Sequence, residues 1–192
     1  IRDGQCDVML TGGGDSIDPL FAAGFDRMGV LAKHSDPNQA CRPFDRCRNG
    51  FVMGEGAAMF VVERLSHALN RGARIYSELV SGAILAEAHH VTGLDMESET
   101  LTHLIRQTLA KGSVEPKEIG YINAHGTGTA QNDLVEMRSI RQALGSAADQ
   151  VSVSASKSMI GHLVNAAGGV ELAITVLAQR DGYAPPTINL ND

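Results

Sequence analysis

Ile119-Gly120-Tyr121-Ile122-Asn123-Ala124-His125-Gly126-Thr127-Gly128-Thr129 is the stretch on which the fold turns. Its apolar start reads as a short buried strand, and residues 133–144 return to a helical pattern just beyond it, so the histidine sits at a strand-to-helix transition among glycines. Working outward, the same alternation recurs. Residues 7–11 read as a buried strand turning at Gly12-Gly13-Gly14, and a short helix is expected over 18–27. Residues 32–50 are polar, hold Pro37 and Pro43, and read as a long loop of the kind that often carries function. A core strand over 57–62 follows, then a helix over 65–70 closed by Arg71-Gly72 and a further strand over 75–85. A helix over 99–110 repeats Leu101, Leu104, Ile105 and Leu109 at helical spacing and is expected to stop at Lys111-Gly112. A strand over 151–154 precedes Lys157, and residues 161–180 read as one long helix of small and apolar residues, buried on most sides. Strands alternating with helices specify an α/β architecture.

Composition bounds the function. With 192 residues, 43% of them hydrophobic, the chain has material for a sizeable core. A net charge of -6 argues against a general nucleic-acid surface. No apolar run reaches the roughly 18 residues of a membrane span, and the opening residues lack a signal pattern, so a cytoplasmic protein with neither nucleic-acid nor membrane partner is expected. Cys6, Cys41 and Cys47 are odd in number and irregularly spaced, which suits neither a disulfide framework nor a zinc ribbon. Neither glycine cluster completes a dinucleotide fingerprint, and no cofactor is expected. The absence of an initiating methionine and the ending in an extended segment at Asp192 lead us to expect a piece of a longer chain.

Two histidines carry the chemical interest. His125 is followed by glycines at 126 and 128 that permit unusual dihedrals and by hydroxyls at Thr127 and Thr129, and His162 follows Lys157 by five residues. Taken singly, each is as compatible with a satisfied core or turn residue as with a catalytic one. His89-His90 reads as a solvated turn, and the scattered methionines as core filling.

Together the segments are far more specific. Ala-His-Gly-Thr-Gly-Thr at 124–129, Ser-Ala-Ser-Lys-Ser-Met-Ile-Gly-His at 154–162, Arg-Pro-Phe-Asp at 42–45, Gly-Phe-Val-Met-Gly-Glu-Gly at 50–56 and Pro-Pro-Thr-Ile-Asn-Leu at 185–190 resemble, in order, the β-ketoacyl synthases of fatty-acid and polyketide assembly. The resemblance spans nearly the whole chain. It implies a thiolase-like, layered αβαβα fold, with residues 1–192 forming a single partial domain that covers mainly the second half. It implies a 3-oxoacyl-[acyl carrier protein] synthase, an acyltransferase that condenses an acyl thioester with malonyl-[acyl carrier protein] by decarboxylation. His125 and His162 match the family's two histidines, Lys157 its lysine, and Glu171 a carboxylate near that lysine. Asn123, Glu136 and Glu171 fall where some members hold a monovalent cation, hydrogen bonding to backbone being the alternative. None of the three cysteines has the context of the family's nucleophile, so the 192 residues alone are expected to be inactive. The glycine-rich segment near the family's carboxyl terminus is not among them either. Acyl carrier protein as partner and a homodimeric parent complete what the resemblance implies, with a fatty-acid branch favoured by Asn123, Met159 and Glu171. Its rivals are a non-catalytic chain-length factor and a Cys-His thiol hydrolase.

Overall fold

A computed structural model of the chain describes residues 1–97 and 99–192. Strand β1 (Val8–Asp15) pairs antiparallel with β2 (Gly56–Glu63), in a register that sets Gly13 opposite Ala58. The strand does not turn at its three glycines, as the sequence had led us to expect. It runs on through them, because the glycines serve packing. A Cβ on Gly13 would lie 2.9 Å from the carbonyl oxygen of Asn165, so only a glycine lets the sheet approach the start of helix α6 (Ala167–Asp181) this closely. Asp15 Oδ2 accepts the N–H of Asn165 at 2.9 Å and fastens the same junction. Leu163, Ala166 and Ala167 form the core there, joined by Ile160 and Val170.

The second sheet is parallel. β3 (Tyr121–Asn123) pairs with β4 (Ser152–Ser154), and helix α4 (Ala130–Leu144) connects them, closing a right-sized β-helix-β unit. Helix α3 (Thr100–Gly112) packs on α4, with the Thr102 hydroxyl donating to Gln142 at 3.0 Å. Helices α1 (Pro19–Arg27) and α2 (Leu65–Asn70) fall where the sequence placed them. For α1 the reason is local: the Asp18 carboxylate accepts the N–H of Phe21 at 2.9 Å, and Pro19 sits in the first turn, where a missing N–H costs nothing.

Three expectations are corrected. Residues 75–85 form no strand. They pass between α3 and α6 tethered by side chains, Ser81 Oγ to the Thr108 carbonyl and Ser77 Oγ to Gln179 Oε1, both at 2.8 Å, and no ladder hydrogen bonds form. The long helix over 161–180 is two helices. Helix α5 (Lys157–Ile160) ends at Gly161, whose φ of 74° is unavailable to a helix, and α6 begins only at Ala167. Of α6, Ala167 alone is fully buried and the remaining positions are half-buried or exposed, so the helix is not covered on most sides. Finally, α3 runs through Gly112 and stops on Ser113, which takes the left-handed conformation itself at φ 53° while Val114 N–H reaches back to Leu109 O at 3.0 Å.

Candidate active site

The polar loop over 32–50 contains some of the most deeply buried side chains in the chain. Asp45 is 2% exposed, and its carboxylate accepts the N–H groups of Cys47 at 2.8 Å, Asn191 at 2.8 Å and Asp192 at 3.3 Å. Those backbone donors hold its pKa below the usual carboxylate range. Beyond the loop, residues 50–54 act as a backbone strap. Gly50 N–H bonds to Gly128 O at 3.0 Å, His162 N–H to Val52 O at 2.7 Å, and Gly54 N–H to His162 O at 3.0 Å. Both histidine segments are thereby attached to one short piece of chain.

The His125 loop is shaped from the other side by two acids one turn apart on α4. Glu136 accepts the N–H groups of His125 and Gly126 at 2.6 and 2.8 Å, while Asp133 accepts those of Gly128 and Phe44 at 3.1 and 2.7 Å. The resemblance sets Glu136 among possible cation ligands, with hydrogen bonding to backbone as the alternative. Its two oxygens accept one backbone N–H each, and burial raises its pKa. Of the proposed trio, Asn123 Oδ1 is a buried acceptor without a partner among the described residues, and Glu171 is engaged by Lys157. Asp133 was missed as a site residue. Its signal was present in the sequence, since acids at 133 and 136 in the first turns of a helix after a glycine-rich loop can take up the loop's free N–H groups.

His125 and His162 meet edge to face, ring centroids 5.2 Å apart and planes at 89°. Phe51 packs against His162 at a tilt of 58°, ring centroids 5.0 Å apart, and behind it stand Phe25 and then Phe21. Hydrogen bonds fix the tautomers. Lys157 Nζ lies 3.3 Å from His125 Nδ1, and an ammonium has only donors, so that nitrogen accepts and the ring proton resides on Nε2. For His162, Nδ1 accepts the N–H of Val164 at 3.0 Å, which again leaves the proton on Nε2. Both rings stay uncharged. His125 is lowered to about 3 by burial, then by the Lys157 and His162 charges, and His162 to about 4 by burial and Lys157. Part of the His125 ring is exposed, on the side that opens to the cavity, while its Nδ1 edge is against the ammonium.

Lys157 is 1% exposed and paired with the Glu171 carboxylate, whose pKa burial raises against the pull of the lysine. Asn123 Nδ2 donates to Ser156 Oγ at 2.9 Å and to the Glu171 carbonyl at 3.3 Å, bracing the helix starts on either side. A cavity of about 430 Å³ opens over the pair, lined by His125, His162, Thr127, Thr129, Phe51 and Leu94 among others, a size ordinary for a small-molecule site. The Thr127 and Thr129 hydroxyls bond each other at 2.9 Å on its wall. No cysteine lines the cavity among the described residues: Cys41 is buried elsewhere and Cys47 is exposed. This removes the basis for a Cys-His hydrolase within the chain. His90 is a turn residue as expected, its Nδ1 accepting the N–H groups of Thr92 and Gly93.

The family model for the β-ketoacyl synthase C-terminal domain matches residues 76–191, and that for the β-ketoacyl synthase N-terminal domain matches residues 1–68. The chain belongs to the β-ketoacyl synthase family. Among its relatives, "3-oxoacyl-[acyl-carrier-protein] synthase 2" of Synechocystis sp. is 43% identical over all of this chain and 47% of its own length. "Actinorhodin polyketide putative beta-ketoacyl synthase 1" of Streptomyces coelicolor is 45% identical over 99% of the chain and 41% of its own length. A type II polyketide ketosynthase, solved in complex with its acyl-carrier protein and bound to the hexaketide, superposes on the whole chain with a TM-score of 0.96 at 35% identity, over 48% of its own length. A β-ketoacyl synthase from Burkholderia phymatum does so with 0.93 at 31%, over 46%. The fold is therefore that of the thiolase-like ketosynthases, and the chain spans about half the length of the relatives it matches. Among the described residues, no helix is long and apolar enough to cross a membrane.

Proposed function

We propose that the parent protein is a 3-oxoacyl-[acyl carrier protein] synthase and that this segment holds its decarboxylation site, with His125 and His162 as catalytic residues. The observation that carries the reading is the pair of neutral rings, each with Nδ1 occupied as an acceptor and Nε2–H free as a donor, on one cavity wall. When a malonyl thioester loses carbon dioxide, the electrons of the breaking carbon–carbon bond pass into the new enolate and negative charge develops on the thioester oxygen. Two preorganised N–H donors stabilise that oxygen in the transition state more than in the ground state. The enolate carbon then attacks an acyl thioester carbonyl and expels its thiolate. Lys157 keeps His125 in the donating tautomer and, with Glu171, sets the field around it. Thr127 and Thr129 offer hydroxyls to the amides of an incoming thioester arm.

The acyl-accepting thiol lies outside these 192 residues in this reading, and the chain alone does not complete the condensation. Acyl carrier protein is the partner, as it is for the type II polyketide ketosynthase above, and the parent is a cytoplasmic homodimer in fatty-acid or polyketide elongation. Retention of both histidines and the lysine in working geometry favours this over a chain-length factor. The test is a chimera in which the segment replaces its counterpart in an active relative. It should release carbon dioxide from malonyl-thioester, and His125→Ala or His162→Ala should each slow that release roughly 10²–10³-fold, the usual cost of one oxyanion donor. A chimera that folds, binds malonyl-thioester and decarboxylates equally well without either imidazole would refute the reading.

A further inference from the structure

Lys157 is aimed at His125, but the element that bears it is too short to aim anything by itself. α5 has four residues, and the Lys157 carbonyl accepts only the N–H of Gly161 within it, at 2.9 Å. A single turn of helix is not self-supporting in water. Its geometry is therefore imposed from outside. Besides the Glu171 ion pair, the Asn123 contact to Ser156 and the strap at 50–54, hydrogen bonds reach it from two segments, around Cys41 and 187–189, that take no part in the cavity wall.

From the first segment, the Cys41 thiol donates to the Lys157 carbonyl at 2.8 Å. From the second, Thr187 Oγ1 accepts the N–H of Ala155 at 2.9 Å. Alongside it the Ile188 N–H donates to Ser158 Oγ at 3.0 Å, and that hydroxyl in turn donates a hydrogen bond to the Ala155 carbonyl at 2.9 Å. Asn189 joins the two segments. With φ at 63°, it turns Nδ2 onto the carbonyls of Asn38 and Cys41, at 2.9 and 3.0 Å. Every partner on the helix side is buried: Ala155 is 0% exposed, Lys157 1% and Ser158 5%, so no water replaces a lost bond cheaply. Burial also raises the Cys41 thiol, which keeps it protonated and able to donate.

We propose that Cys41, Thr187 and Asn189 are positioning residues for Lys157, clamping its one-turn helix from two sides so that the ammonium meets His125 Nδ1 and holds that ring as an Nε2–H donor. The proposal rests on the reading of His125 given above and extends it to residues that touch neither substrate nor imidazole. A clamp of this kind acts on the ring's tautomer and basicity, and a merely structural contact would move only overall stability.

Magic-angle-spinning ¹⁵N spectra of the histidine-labelled 192-residue chain, which tolerate an associated state, read both quantities directly. The wild type should show His125 as the Nε2–H tautomer with a midpoint near 3. Cys41→Ala and Asn189→Ala should each give mixed tautomers and raise the midpoint by about one unit, a tenfold easier protonation, as the ammonium drifts from the ring. Cys41→Ser should restore the wild-type spectrum, since its hydroxyl donates to the same carbonyl. Unchanged tautomer and midpoint in both alanine variants overturn the clamp while leaving the site intact. An Nδ1–H tautomer in the wild type overturns the site reading itself, and the clamp with it. If the alanine variants do not fold, the S–H stretch of wild-type Cys41, identified by its loss in Cys41→Ser, decides the matter: a strongly hydrogen-bonded frequency supports the clamp and a free-thiol frequency overturns it.

Discussion

A histidine held neutral in the folded chain links the site to acid stability. Both rings have folded pKa values below the ordinary imidazole value of about 6.5, so over the intervening range the unfolded chain binds more protons and stability falls as pH drops. Their contribution is complete above about pH 6.5 and is lost progressively toward about 4 for His162 and about 3 for His125. Urea melts across that window should therefore show a declining midpoint, and His162→Phe should flatten the decline, whereas an unchanged slope would mean the ring is not held neutral. In the sequence these residues stood out only as histidines among glycines at strand-to-helix transitions, and the resemblance to the β-ketoacyl synthases supplied the roles expected of them. What spacing could not convey was the tautomer, which depends on a lysine 32 positions away and on a backbone N–H two residues on. Glu136 shows the same limit: that its carboxylate takes up the N–H groups of His125 and Gly126 is visible only once the loop is folded over the helix.

Short elements fix the site by backbone approach, and glycine decides whether they can. A Cβ on Gly54 would lie 2.2 Å from the carbonyl oxygen of Ile160, a backbone atom that cannot swing aside as a side chain can. Gly54→Ala should therefore break the bridge between Met53 and His162, cost about 1–3 kcal/mol in thermal or urea unfolding, and alter the histidine ¹H shifts. The Asp45 loop makes a second prediction. Asn at that position presents an amide N–H₂ toward backbone donors, so Asp45→Asn should destabilise by about 1–3 kcal/mol and loosen residues 187–192, seen as faster amide exchange there. The carboxylate's own contribution is present above its unfolded pKa of about 4 and disappears as pH falls through its lowered folded value. Most elements were legible from periodicity and capping. The failures at 75–85 and 161–166 share one cause: an apolar run states that a segment wants cover, and only the neighbours determine whether ladder hydrogen bonds or a helix supply it.

The accessible surface of 11848 Å² exceeds the roughly 8,800 Å² expected for a compact monomer of this mass by about a third. Large apolar side chains lie open at many places, among them Leu10, Met59 and Val61 on the β1–β2 sheet and Leu20, Ile84 and Val91 elsewhere. An excess near 3,000 Å² is of the order of an obligate interface, so the isolated chain should self-associate and bind hydrophobic dyes. Sedimentation velocity giving a compact monomer at micromolar concentration would contradict this. The alternation of strands and helices was legible in the sequence, but not which strands pair or how open the assembled chain would be, because local pattern records which faces are apolar and not what rests on them. The strap at 50–54 has a last implication, for recombination. It lies within the stretch matched by the N-terminal family model, while both imidazoles it secures lie within the stretch matched by the C-terminal one. A crossover in the gap between those stretches would inherit the imidazoles from one parent and their anchorage from another, so functional hybrids should favour junctions that keep residues 42–54 and 124–162 from the same ancestor.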